Sequence, residues 1–352
     1  MDAMPWGTAG ARDRWDDWHW QCANRIRTAS DLVEKIGIGR DLEQRYAELL
    51  TIYPYAVTPY YLSLMHRDDP DDPIRLQCIP DVKELEFGPD ERDDPLAEQQ
   101  HEKVPGLLHR FPDRALVITT DRCAVYCRHC MRKRLWRARR GDRSNEELLR
   151  MVDYIRTHPE IREVIVSGGD PLMLPTERID RLLGALRAIP HVEVVRVGSR
   201  IPVVMPMRID EELCRTLEKY RPLWFVTHFN HPREVSPEAA RACDLLLRRG
   251  IPVSNQSVLL RGVNDSLEVM RELCQALQRI SVRPYYVFQC DPVRGTGHFR
   301  TPVRAGVAIA TALRATSSGL CVPTFMVDTP GRDGKIPLEA YRLEGEPPRA
   351  VP

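Results

Sequence analysis

Three thiols within eight residues form the densest group of reactive side chains in this sequence. They lie in Cys123-Ala-Val-Tyr-Cys127-Arg-His-Cys130, just after the apolar run Leu116 to Thr120, and Met131-Arg132-Lys133-Arg134 follows at once. Thiolates at this density suit soft iron–sulfur centres or zinc. Three with no fourth nearby leave one metal position open, as a centre needs if it is to bind and activate a small molecule. Buried structural cysteines, or a zinc site completed by a distant residue, are the competing readings, although zinc pairs usually recur as C-x2-C twice. A second reactive group is Lys335, in the run Pro330-Gly331-Arg332-Asp333-Gly334-Lys335. Such a lysine is either a solvated surface residue or a Schiff-base former for an aldehyde cofactor such as pyridoxal phosphate (PLP). The phosphate of PLP would find two guanidiniums, Arg110 and Arg114, in His109-Arg110-Phe111-Pro112-Asp113-Arg114.

These groups need a frame, and the chain is long enough for one large domain with an appendage, or for two domains. Of its 352 residues, 29% are charged with a net charge of +1, so no global field favours nucleic acid or a membrane surface. Met1-Asp-Ala-Met-Pro-Trp lacks the basic and apolar regions of a signal peptide. No uninterrupted apolar run approaches a membrane span. With no export signal, ten scattered cysteines point to reduced thiols and a cytoplasmic protein rather than to a disulfide framework.

Residues 1 to about 65 read as helical. Asp13 to Ile26 carries Trp15, Trp18, Trp20 and Ile26 near helical spacing, and a Ser30 cap precedes Leu32 and Ile36. Pro70 to Pro112 is Pro- and Asp-rich, an ordered connector without long periodicity. After Arg114 strands and helices alternate. Strands are expected at 116–120, 163–167, 192–198, 224–229, 252–260, 283–289 and 322–327. The intervening helices include one opened by the Ser144–Glu147 capping box and one closed by Gly250. Strict alternation implies parallel strands with right-handed crossovers, hence α/β architecture: a partial (β/α)6 TIM-type barrel with an N-terminal helical extension. The expected division is 1–103 extension and connector, 104–337 barrel, 338–352 tail.

In such a barrel the chemistry gathers at the strand C-terminal ends. There lie the cysteines, Ser167-Gly168-Gly169-Asp170, Gly198-Ser199-Arg200, Thr227-His228-Phe229-Asn230, Asn255-Gln256, Gln289-Cys290-Asp291 and Asp328, with Lys335 just beyond. Glycines at such an end let backbone approach a ligand. Jointly these residues read as one active site.

Several of these stretches resemble the lysine 2,3-aminomutase family. The matching runs are Cys-x3-Cys-Arg-His-Cys-x-Arg, Ser-Gly-Gly-Asp-Pro-Leu (167–172), Thr-His-Phe-Asn-His-Pro (227–232) and Leu-Leu-Arg-Gly-Val-Asn-Asp (259–265). Further matches are Arg-Pro-Tyr-Tyr (283–286), His-Phe-Arg-Thr-Pro (298–302) and Pro-Gly-x-x-Gly-Lys-Ile-Pro (330–337), so the likeness runs from about Trp15 to Pro337. The resemblance implies a 4Fe–4S cluster on Cys123, Cys127 and Cys130. S-adenosylmethionine (SAM) would sit on the unique iron, near Gly168, Gly169, Asp170 and Gln256. It further implies PLP on Lys335, with Arg110 and Arg114 in the phosphate or cofactor pocket. Reductive cleavage of SAM would yield a 5′-deoxyadenosyl radical, and a flavodoxin or ferredoxin would supply the electron. Arg132 matches the arginine that clamps the substrate α-carboxylate, and Asp291 and Asp328 match the carboxylates that hold the distal ammonium of lysine. Two such carboxylates favour a cation between them and reject a glutamate side chain.

This sequence also departs from the family. The chain stops at Pro352, and Ser266 follows Val-Asn-Asp where the family carries a cysteine, so the inter-subunit zinc site is not expected, the family tetramer does not carry over by resemblance, and a homodimer is an alternative assembly. Arg332 and Asp333 stand where the family's PLP loop has glycines, and, elsewhere in the chain, Phe111 stands where the family usually has tyrosine. Arginine therefore rivals lysine as the cationic substrate, and a relative that makes β-lysine for elongation factor P is a third reading. A non-catalytic iron–sulfur or zinc protein is the reading from a different class.

Overall fold

The computed structural model describes residues 13–138, 140–330 and 334–341. Among these described residues, ten strands run in chain order through one sheet. They are β1 (Glu102–Val104), β2 (Leu107–Phe111), β3 (Arg114–Ile118), β4 (Glu163–Ser167), β5 (Val194–Gly198), β6 (Leu223–Thr227), β7 (Val253–Leu259), β8 (Arg283–Gln289), β9 (Thr324–Asp328) and β10 (Lys335–Pro337). From β3 to β9 every neighbouring pair is parallel. β1 and β2 extend one edge and β10 the other as antiparallel strands. The two edges do not pair, so the barrel is partial.

Alternation along each strand explains the layering. In β4, Val164 and Val166 are buried while Glu163, Ile165 and Ser167 are only half-buried, and β5 repeats the pattern with Val195 and Val197. The buried face packs under amphipathic helices such as Asn145–Arg156, Thr176–Arg187, Pro237–Arg248 and Leu267–Arg279. The half-buried face is left to line a cavity. Ser144 and Glu147 form the expected reciprocal cap, and Gly250 takes the left-handed conformation (φ +67°) that ends its helix.

The described part of the N-terminal extension shares one hydrophobic core with the barrel: Ile26, Leu49, Tyr61 and Ile74 belong to the same buried cluster as Val164 and Phe225. Here the structure corrects the sequence reading. The first helix is only Trp18–Ala23, because Ile26 leaves it to pair with Val57 in a β-bridge. The next turn is capped by Thr28, not Ser30, and runs into a π-helical segment, Leu32–Ile36. The connector holds a helix (Pro73–Cys78), two 3-10 turns (Val82–Leu85 and Glu98–His101), β1 and β2. Lys335, expected on a loop, lies on β10 with its Cα paired to that of Asp328. Arg332 and Asp333 of the glycine-poor loop, the start of the chain and most of the 338–352 tail lie outside the described residues. Among the described residues, no helix is long and apolar enough to cross a membrane.

Candidate functional site

A cavity of about 370 Å³ opens at the C-terminal ends of the parallel strands. It brings together Cys127, Cys130, Arg132, Gly168, Gly169, Gln256, Asp291, Asp328, Lys335, Arg110 and Arg114. Cys123 and Asp170 are not among its lining residues. The strand faces that line it, Leu116, Ile165, Val226, Val258 and Phe288, are largely apolar.

The cysteine loop is fixed from several sides. The Cys130 amide donates to the Cys127 carbonyl (2.9 Å), and Arg25 donates to the Cys123 carbonyl (2.7 Å). Arg200 Nη1 lies 2.7 Å from Cys127 Sγ, and the Arg132 amide donates to Cys130 Sγ (3.4 Å). Burial, Asp170 and the other two cysteines push the Cys123 thiol well above its usual range, and burial and Cys127 raise Cys130 to about 11. Burial makes these thiols poor free nucleophiles, and a bound metal would supply the adjacent positive charge that favours their thiolates. Among the described residues, no three His, Cys, Asp or Glu side chains converge on one metal ion. A cluster does not require such convergence, since it spreads its thiolates over separate irons.

Gly168 (φ +142°) and Gly169 allow a close approach, though of backbone to backbone. A Cβ on Gly168 would stand 2.5 Å from the Thr120 carbonyl, and one on Gly169 would strike the Arg122 carbonyl. In their place the Gly169 amide donates to Thr120 (2.6 Å) and the Asp170 amide to Arg122 (2.8 Å), joining the second strand end to the cysteine loop. The Asp170 carboxylate accepts from Ser199 Oγ and the Arg200 amide (both 2.8 Å) and from the Leu172 amide (3.1 Å). Burial still raises it to about 6. Its bonds all go to protein groups, so it ties the β4 and β5 loops together.

Two glutamates from the connector, neither legible as site residues, hold the basic run around the cysteines. Glu84 pairs with Arg128 (2.7 Å) and Lys133 (2.8 Å), all three almost fully buried. Glu98 pairs with Arg132 and Arg134 (both 2.6 Å). Burial opposes each carboxylate's charge, but the paired cations outweigh it and hold both at about 2. His129 and His228 stack with their Nε2 atoms 3.2 Å apart, and Asn230 Nδ2 lies within 3.2 Å of both.

The part of the cavity around Lys335 is different. The Lys335 ammonium lies over the rings of Phe288 (5.2 Å) and Tyr286 (5.3 Å). Burial lowers its pKa to about 8; Asp328 opposes the shift, while Arg196, Arg114 and Arg110 add to it. Asp291 is raised to about 7 by burial, Asp328 and Glu98, against Arg132 and Arg110. Asp328 is met by Arg110 (3.1 Å), which also donates to the Thr329 carbonyl. Arg110 therefore faces the distal carboxylates, a partner that the motif did not reveal. Arg114 stacks on Phe111 at 4.0 Å and pairs with Asp113. Arg196, paired with Glu163, joins this cationic wall; its inward parity on β5 was the signal that could have found it. An amine of lowered pKa beside three arginines fits an aldehyde cofactor carrying a phosphate.

Comparison with known proteins agrees with this architecture. The Radical SAM superfamily profile matches residues 117–274. The chain is 49% identical over 324 residues to an L-lysine 2,3-aminomutase of Clostridium subterminale, covering 92% of this chain and 78% of that one. It is 47% identical over 328 residues to the enzyme of the same name from Acetoanaerobium sticklandii, covering 93% and 79%. It is also 41% identical over 331 residues to a glutamate 2,3-aminomutase of Clostridioides difficile, covering 94% and 78%. The chain belongs to the lysine 2,3-aminomutase family of radical SAM enzymes.

Proposed function

We propose that this protein moves the α-amino group of L-lysine to the β-carbon, giving β-lysine, with PLP carried on Lys335. The observation that carries this reading is the pairing, in one cavity, of a lysine of lowered pKa with two acidic side chains, Asp291 and Asp328, that suit a distal ammonium. When bound, the cluster with SAM supplies a carbon-radical initiator, and PLP supplies the conjugated nitrogen that permits migration.

The chain's own residues do the rest. Cys123, Cys127 and Cys130 hold the cluster, and Gly168, Gly169, Asp170 and Gln256 frame the SAM site. Lys335 Nζ, with its pKa near 8, is partly free of its proton near neutral pH and can attack an aldehyde carbon. Arg110, Arg114 and Arg196 place positive charge for a phosphate. Arg132 receives the α-carboxylate. The apolar strand faces exclude water from the reacting carbons. Glutamate is disfavoured because its side-chain carboxylate would meet Asp291 and Asp328; arginine is the cationic rival.

The electron comes from a flavodoxin or ferredoxin in the cytoplasm, the assembly is a homodimer, and the barrel unit spans 104–337. Anaerobic turnover of lysine labelled with 15N at the α-amine tests the reaction: the label should appear on the β-carbon, together with 5′-deoxyadenosine. Label retained at the α-carbon, or lost to solvent, would refute migration.

A further inference from the structure

A guanidinium offers two hydrogen-bonding forks, and only one of those on Arg132 is open. Arg132 Nε donates to both Glu98 oxygens (3.1 and 3.0 Å), and its Nη2 donates to Glu98 Oε1 (2.6 Å). Nη1 has no partner among the described residues, so the Nη1–Nη2 edge is the one left for a ligand. Glu98 is itself pinned. Its Oε2 accepts from Arg134 Nη2 (2.6 Å), its own amide donates to Asp94 (3.1 Å), and only 6% of its surface is exposed.

The backbone immediately before it is strained. Ala97 has φ +52°, one of two non-glycine residues in the left-handed region among those described. Such a conformation is unfavourable for a residue with a Cβ and persists only where the surroundings over-determine it. Here it turns the chain into the 3-10 segment Glu98–His101 and sets Glu98 under Arg132. At the other end of Arg132, its amide is held by Cys130 Sγ. Backbone and side chain are thus fixed independently.

We infer that Glu98 is a positioning residue for substrate recognition, occupying the Nε–Nη2 edge of Arg132 so that the Nη1–Nη2 edge alone is presented to the substrate α-carboxylate. This rests on the reading of Arg132 as the carboxylate's partner. Its consequence is selectivity by orientation. An arginine free to rotate would take a carboxylate on either fork, whereas a clamped one accepts it in a single direction and so fixes the α- and β-carbons relative to the rest of the cavity. Glu98 lines the same cavity, but both of its carboxylate oxygens are engaged by Arg132 and Arg134, so its role runs through Arg132.

The test is equilibrium binding of L-lysine and of L-lysinamide, whose carboxylate is replaced by a neutral amide, to the reconstituted holoenzyme without SAM. Glu98→Gln keeps the size and one acceptor while removing the charge. Lysine affinity should fall about tenfold in Glu98→Gln while lysinamide affinity changes less than about twofold, the scale expected for one misaligned charged hydrogen-bond pair. If that variant does not fold, Glu98→Asp, which keeps the charge but withdraws it by one methylene, serves for the same comparison. An equal loss for both ligands, or no loss for lysine, would overturn the role of Glu98. Lysinamide binding as tightly as lysine to the unsubstituted protein would remove Arg132 from the carboxylate and overturn both readings.

Discussion

The two walls of the cavity are built on opposite electrostatic plans. On the cysteine side, each cation of Arg128, Arg132, Lys133 and Arg134 meets one of two buried glutamates, and both glutamates titrate near 2. On the Lys335 side, Lys335 is lowered to about 8 and Asp291 raised to about 7, because burial outweighs the opposite charges that face each of them among the described residues. The saturated wall is preorganised and chemically quiet, suited to hold a cluster and aim an arginine. The unsaturated wall stores the cost of burial in two groups poised near neutrality, where a cofactor aldehyde and a substrate cation can relieve it.

The sharpest way to break this contrast is to remove the poised amine. Lys335→Ala should abolish turnover and the visible absorbance of bound PLP while leaving the cluster spectrum intact. A PLP chromophore that survives dialysis in this variant would take Lys335 out of its role. Next comes the quiet wall. Glu84→Ala leaves Arg128 and Lys133 buried and uncompensated, at a cost of about 3–5 kcal/mol, read by urea unfolding. Because the folded pKa of Glu84 is depressed from 4.5 to about 2, its stabilisation is present at neutral pH. It should be lost as pH falls from 4.5 through 2; a stability profile that is flat there would contradict the buried triad.

A smaller effect probes the poised acid. The pKa of Asp291 is raised in the free protein, so its anionic, cation-binding form grows with pH. kcat/KM for lysine should rise about tenfold per unit below roughly pH 7 and level off above it. Asp291→Asn should flatten that limb and raise KM. An unchanged pH limb in the variant would assign the titration elsewhere.

How much of this could be read from the sequence differs between the two walls in the same way. The parallel strands were legible because five-residue apolar runs repeat between helical periods, and the cysteines and Lys335 were legible because they sit in short motifs. Glu84 and Glu98 were not, because each lies in a four-residue 3-10 turn within a Pro-rich stretch, with no periodicity, and acts on residues more than thirty positions away. β1 and β10 are three residues long, too short for alternation to register, which is why Lys335 was expected on a loop. The Arg110–Asp328 pair, 218 positions apart in sequence, exists only because β2 and β9 are brought to one cavity. In the N-terminal extension, the tryptophan spacing suggested a longer helix than the Ile26–Val57 bridge permits.

The unsaturated wall should select a cationic amino acid. Side-by-side kcat/KM values for L-lysine, L-arginine and L-glutamate, with products identified by mass spectrometry, test it directly. β-Lysine should dominate, with no detectable β-glutamate; turnover of glutamate with Asp291 and Asp328 intact would contradict it.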